Sequence, residues 1–283
     1  MFKKAEKSKQ KLRLLLEGAS GSGKTYSALE LASGLGSNIA VIDTENGSAS
    51  LYADKFEFDT LNLKPPFTPE KYIGAIELAE KDYDVLIIDS ISHEWSGEGG
   101  CLDIHNSLGG KFQDWAKVTP KHKKFLDKII SSDVHIIATA RTKTDYAMNV
   151  NERGKTSPTK IGMKSEQRDG LEYEFTTVLR INENHLAACS KDRTGVFDGK
   201  EQILSKENAK ELIDWLNSGK DPDATKAQKT QIGELLEALG INSGDVEAMK
   251  EAILKRLPKY DGKLTQDQAN YLIKKLQEEQ TNG

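Results

Sequence analysis

Eight residues near the N-terminus have the types and spacing of a phosphate cradle: Gly18, Ala19, Ser20, Gly21, Ser22, Gly23, Lys24 and Thr25. They satisfy G-x-x-x-x-G-K-[ST] at every fixed position. Glycines let successive backbone N–H groups turn inward around an anion, and a helix N-terminus adds partial positive charge at the same point. Lys24 then reaches the β- and γ-phosphates of a nucleoside triphosphate, ATP, and the Thr25 hydroxyl ligates Mg²⁺. Tyr26, next in the chain, joins the nucleotide-binding set.

Carboxylates stand where that chemistry needs them. Val85-Leu86-Ile87-Ile88 ends in Asp89, four apolar residues and then an acid. Asp89 beside the glycine-rich loop would hold the Mg²⁺ through water. Ile39 to Asp43 is followed by Thr44-Glu45-Asn46-Gly47. A carboxylate leaving a strand next to the loop, here Glu45, can orient or deprotonate an attacking water. Glu94, close to Asp89 in sequence, is the reserve candidate for that role, and His93 beside it is near enough to touch nucleotide.

These residues need strands and helices to position them. Leu12, Leu14, Leu15 and Leu16 read as a buried strand, and Tyr26 to Leu35 as a helix with Ala28, Leu29, Leu31, Ala32 and Leu35 at helical spacing. Strand-type runs follow at 39–43, 85–89 and 134–140, with a short strand or edge hairpin at 56–63. Glu70 to Lys81 is amphipathic, and Thr119-Pro120 carries the cap and first-turn proline of a helix start. Glycines at 97, 99, 100, 109 and 110 indicate a mobile loop, and 141–168 a long polar one. Residues 171–181 and 185–190 read as two strands joined by Asn182-Glu183-Asn184. The expected class is therefore α/β, with a mainly parallel central sheet. Residues 1–218 form the core, 219–224 a linker and 225–283 a small three-helix unit.

The net charge is −4 over 283 residues, so nucleic-acid binding must come from a local patch. Residues 141–168 supply one: Arg141, Lys143, Arg153, Lys155, Lys160, Lys164 and Arg168 against Asp145, Glu152 and Glu166. Two cysteines make no disulfide framework and fit a reducing cytoplasm. Cys101-x-x-x-His105 has the spacing of one ligand pair, with no second pair to support a metal site. With no apolar run long enough to span a membrane and no leader pattern, the expectation is a cytoplasmic protein.

Together the glycine-rich loop, Ile42-Asp43-Thr44-Glu45 and Ile87-Ile88-Asp89-Ser90 resemble the RecA-like P-loop ATPases. The resemblance covers roughly 1–218 and points to phage-encoded members of the single-strand-annealing recombinase group, ATP-binding proteins of AAA type. The phage placement rests on the long Asp89-to-Gly100 segment and the short stretch before the first strand. It implies that Glu45 is the catalytic glutamate and that 141–168 is a DNA-binding loop. Lys191 and Arg193 match the Lys-x-Arg pair that reaches the neighbouring subunit's γ-phosphate, with the chemistry of an arginine finger. Phe2 to Ala5 resembles the Phe-x-x-Ala tether of such subunits. The strand tip offers Thr139 and Arg141 where RecA itself carries a glutamine that senses the γ-phosphate, a departure that bears on how ATP is coupled to DNA. The implied function is ATP-dependent binding of single-stranded DNA by a homo-oligomeric ring or filament, promoting annealing or recombination in the host cytoplasm. A single-strand-binding protein would be an accessory partner. A helicase loader or replication motor, and a nucleotide-dependent protein-binding switch without DNA, are the alternatives.

Overall fold

The structure, a computed structural model, describes residues 2, 4–150, 156–242 and 244–282, with side chains described except at 144–150, 156–162 and 282. It divides into two compact units, Lys11–Leu216, and Met1–Gln10 with Asn217–Gly283.

In the larger unit the strands are β1 (Arg13–Gly18), β2 (Ile39–Asp43), β3 (Asp59–Asn62), β4 (Val85–Asp89), β5 (His135–Val150), β6 (Thr156–Ser165), β7 (Thr177–Ile181), β8 (Ala187–Asp192) and β9 (Glu201–Gln202). The helices are α1 (Lys24–Leu35), α2 (Pro69–Ala79), α3 (Ser92–Ser96), α4 (Cys101–Ser107), α5 (Trp115–Ser131) and α6 (Lys206–Asn217). Among the described residues the strands form one sheet in the order β3-β2-β4-β5-β1-β7-β8-β9, with β6 paired to β5. From β3 to β7 all pairings are parallel, while β8, β9 and β6 run antiparallel to their neighbours. This is the mainly parallel α/β core expected from the sequence.

The sheet is apolar on both faces, which is why its central strands read as unbroken hydrophobic runs. Leu14 and Leu16 point into one layer with α1 (Ala28, Leu29, Leu31, Ala32) and α6 (Ala209, Leu212, Leu216). Leu15, Leu86 and Ile88 point into the other, with α2 (Tyr72, Ile76) and α5 (Phe125, Ile129). Each such side chain taken fully out of water contributes roughly 1.5–3 kcal/mol. Thr68 caps α2, its hydroxyl accepting from the Lys71 N–H at 3.4 Å, and Pro69 opens the helix. The parallel strands end together, so the C-terminal tips of β1, β2, β4 and the Ala138–Arg141 part of β5 meet at one edge.

Four expectations need correction. Within the expected loop 141–168, residues 141–150 and 156–165 are strand: β5 runs on to Val150 and pairs antiparallel with β6 as a hairpin. The glycines at 97–100 separate two short helices, α3 and α4, with Gly100 capping the second. Helix α5 begins at Trp115, before Thr119-Pro120; Asp114 caps the preceding turn by accepting from the Lys111 N–H at 3.0 Å, and Pro120 lies inside the helix. There the proline deprives only the Ala116 carbonyl of its donor. Residues 171–174 form a 3-10 turn before β7.

The smaller unit holds α7 (Lys226–Ala238), α8 (Val246–Arg256) and α9 (Gln266–Asn282). Its own core joins Ile232, Leu236, Ile253, Leu272 and Leu276. Thr225 and Gln228 form a reciprocal capping box at the start of α7. Residues 1–10 group with this unit rather than with the core, where the sequence reading put them: the Lys9 N–H donates to the Lys220 carbonyl, and the Lys220 N–H to that of Lys7, both at 2.9 Å. Phe2 is fully exposed. Among the described residues no helix is long and apolar enough to cross a membrane.

Candidate functional site

The turn from β1 into α1 is built as a cradle. A Cβ at Gly18 would stand 2.7 Å from the Ile181 carbonyl oxygen, so only glycine fits between β1 and β7. Gly21 and Gly23 have φ of 79° and 89°, the left-handed region that favours glycine. Gly23 leads directly into α1, whose first N–H groups have no partner within the helix. Lys24 lies over the loop, its ammonium donating to the carbonyls of Gly18 (2.9 Å) and Ala19 (2.8 Å). Burial lowers its pKa, against the raising influence of Asp89 and Glu45.

Thr25 and Asp89 are brought together as the sequence predicts. The Thr25 hydroxyl donates to Asp89 Oδ2 at 2.6 Å, and Thr139 on β5 donates to Asp89 Oδ1 at 2.5 Å. Asp89 is buried, which raises its pKa against the lowering effect of those two hydroxyls. A hydroxyl and a carboxylate side by side are the hard oxygen donors that Mg²⁺ takes together with phosphate oxygens and water. The donor set therefore fits that ion.

Glu45 stands at the same edge. Asp43, at the end of β2, accepts from the N–H groups of Glu45 (2.7 Å) and Ala49 (2.9 Å), which fixes the turn. The Thr44 hydroxyl accepts from the Ser90 N–H at 2.8 Å and lies 2.6 Å from His93 Nδ1, tying this turn to β4 and α3. The Glu45 carboxylate does not stand free. Arg141 grips it with both arms, Nε to Oε1 at 2.8 Å and the second nitrogen to Oε2. Burial alone would raise the Glu45 carboxyl, but the Arg141 hydrogen bond and charge, with His93 and Lys24, hold it below the usual carboxylate range. His93 is lowered by burial and then by Arg141.

Beyond the cradle lies a cavity of about 420 Å³ lined by Gly21, Gly23, Lys24, Thr25, Tyr26, Ser27, Tyr52, His185, Ile203 and Leu204. It joins the phosphate loop to an aromatic and aliphatic wall, the surface a nucleoside base needs. Tyr26 packs edge-on to Tyr52 and Phe56 there, at 5.7 and 5.3 Å between ring centres. His185, in the β7–β8 turn with φ 64°, lies 2.9 Å through Nδ1 from the Ser22 carbonyl oxygen.

The remaining predicted residues are placed as follows. Glu94 is turned away from the cradle: it is wholly buried and engaged with His122, Cys101 and Gln167. Its carboxylate is spent on these partners and does not face Lys24, Thr25 or Asp89, so it is not placed to activate a water at the cradle. His105 does not join Cys101; it lies 3.0 Å through Nε2 from the Lys111 carbonyl oxygen and stacks on Trp115. Lys191 pairs in register with Val178, and β8 runs from the cradle edge toward the opposite one. Lys191 and Arg193 therefore lie away from their own Lys24. The Lys191 ammonium donates to the carbonyls of Glu172 (2.8 Å) and Tyr173 (2.9 Å), while Arg193 is exposed.

The basic segment is not a uniform patch. Arg141 is committed to Glu45 and Lys164 pairs with Asp169 at 2.5 Å, while Lys143 is exposed and Arg168 half-buried. Arg153 and Lys155, and the side chain of Lys160, lie outside the described residues. Sequence reasoning missed the Glu45–Arg141 clasp and the His185 contact. Both join segments far apart in the chain, and no local pattern marks them. Thr139 and Arg141, two residues apart on one face of β5 where it passes the cradle edge, were the available signal for the first.

A family model described as an AAA domain matches residues 10–209. No curated protein matches the chain.

Proposed function

Since the chain belongs to the AAA domain family of P-loop ATPases, we propose that it hydrolyses ATP as a RecA-like homo-oligomer that binds single-stranded DNA and promotes annealing or recombination in a phage-infected cytoplasm. The observation that carries the hydrolytic reading is the convergence of Lys24, Thr25, Asp89 and Glu45 at one sheet edge. Lys24 and the loop N–H groups bind the phosphates, Thr25 and Asp89 hold Mg²⁺, and Glu45 takes the proton of the attacking water. Bound Mg²⁺ would supply charge neutralisation between the β- and γ-phosphoryl oxygens. The aromatic cavity beside Tyr26 receives the base. Lys191 and Arg193, remote from their own cradle, serve the neighbouring subunit's nucleotide.

The DNA reading is supported by the β5–β6 hairpin, which extends β5 beyond Arg141 and away from the sheet edge. A backbone-tracking strand of nucleic acid needs cations along such an element. A second reading, a nucleotide-dependent protein-binding switch, is favoured by the pairing of Arg141 and Lys164 within the chain, which leaves fewer cations for phosphates. The test is the ATPase rate with and without single-stranded DNA, alongside sizing with and without ATP. Stimulation by DNA together with ATP-dependent assembly supports the first reading. Hydrolysis indifferent to DNA, with no DNA retained at low salt, supports the second.

A further inference from the structure

We propose that Glu94, Cys101 and His122 form a structural site for one borderline-soft divalent metal ion of the zinc type. The three come from three elements: Glu94 from α3, Cys101 from the first turn of α4, and His122 from α5. Their exposures are 0, 0 and 2%. The Cys101 sulfur lies 3.1 Å from Glu94 Oε1, and His122 Nδ1 lies 3.1 Å from each Glu94 oxygen. All the donor atoms fall within 4.8 Å of one another.

The donor set is sulfur, nitrogen and oxygen, which zinc accepts and magnesium does not. Bonds of about 2.0–2.3 Å in a tetrahedron place neighbouring donor atoms about 3.4–3.6 Å apart. The Cys101–Glu94 and His122–Glu94 pairs, at 3.1 Å, therefore need to open by only a few tenths of an ångström. Charge balance favours occupation as well. Binding releases the Cys101 thiol proton to solvent, so a dication meets one thiolate and one carboxylate and the buried site is neutral. A water would complete four-coordination. With Trp95 and Phe125 packed around His122, the site is closed to substrate, so its role is to hold structure.

What it would hold is the floor under the nucleotide edge. Helix α3 follows directly on β4 and its Asp89. Gln167, just after β6, donates to Glu94 Oε2 at 3.2 Å and to the Ile91 carbonyl at 3.0 Å. One ion would thus join α3, α4 and α5, and through Gln167 the base of the hairpin.

The test uses the full chain, without nucleotide. Purified protein is stripped with a chelator, reloaded with zinc, desalted and analysed for metal by mass spectrometry; a second sample is titrated with cobalt. About one zinc per chain is expected, with a thiolate-to-cobalt absorption band and a higher melting temperature than the stripped protein. Cys101→Ser should retain at least about tenfold less zinc and lose the band, while Lys24→Ala, altered only at the nucleotide site, should retain both. Absence of the band in the wild-type chain, with zinc retained no better than by Cys101→Ser, would overturn the proposal and leave a proton shared by His122 and Glu94 as the occupant. The cobalt titration needs no variant, so a Cys101→Ser chain that fails to fold leaves the result readable.

Discussion

The Glu45–Arg141 clasp sets what a single residue can do at this site. Glu45→Gln should leave ATP binding intact and lower turnover by about 10²-fold or more, as loss of a general base does. Equilibrium nucleotide binding and steady-state rate, measured together, check this. The clasp also has a pH consequence. Arg141 keeps the Glu45 carboxyl below its ordinary value, so the base stays ionised as the pH falls through the usual glutamate range. In Arg141→Ala the raising effect of burial is opposed only by His93 and Lys24, and the acid limb of the kcat profile should move to higher pH. An unmoved limb would mean that another group controls it. The sign for stability is the same. The depressed pKa gives the pair a contribution present above the unfolded glutamate value and lost as pH falls through the folded one.

At the scale of elements, the proposed DNA reading rests on the β5–β6 hairpin. Neutralising Lys143, Lys155 and Lys160 together should weaken single-stranded DNA binding about equally across sequences and reduce the salt slope by roughly 0.7 for each phosphate no longer neutralised. Fluorescence anisotropy over a salt series reads both quantities, and an unchanged slope would remove the hairpin from the interface. The elements that hold the cradle were legible in the sequence because burial on both faces writes them as apolar runs: Leu12 to Leu16, Val85 to Ile88, Val134 to Ala140. The hairpin was not legible, because Thr142 to Asp145 is wholly polar, only the short run Tyr146, Met148 and Val150 alternates, and the pairing with 156–165 joins two strands through the backbone. Helix α5 was misplaced at its start because Thr119-Pro120 imitates a cap, whereas the preceding turn is closed by Asp114 on Lys111. The Lys24, Thr25 and Asp89 grouping was legible from a single motif and its distance to an acid. The Glu94–Cys101–His122 cluster was not, because its members are seven and twenty-one residues apart on three helices.

At the scale of the whole molecule, the two units have separate cores. Deleting 222–283 should leave a folded core with its cooperative thermal transition and nucleotide binding, read by calorimetry with and without ATP. Loss of the transition would show that the core depends on the helical unit. On the proposed reading a working site is shared between protomers: Lys191 and Arg193 lie away from their own cradle while Lys24, Thr25, Asp89 and Glu45 gather within it. A chain with both Lys191→Ala and Arg193→Ala should bind ATP nearly normally yet hydrolyse it about 10³-fold more slowly, because the charge developing on the γ-phosphoryl oxygens lacks its partner. The decisive measurement mixes this chain with Glu45→Gln chains, once labelled subunits show that they exchange. At a mixed interface the intact Glu45 of one meets the intact Lys191 and Arg193 of the other. Turnover well above either parent is the predicted result; a mixture as inactive as its parents would contradict it.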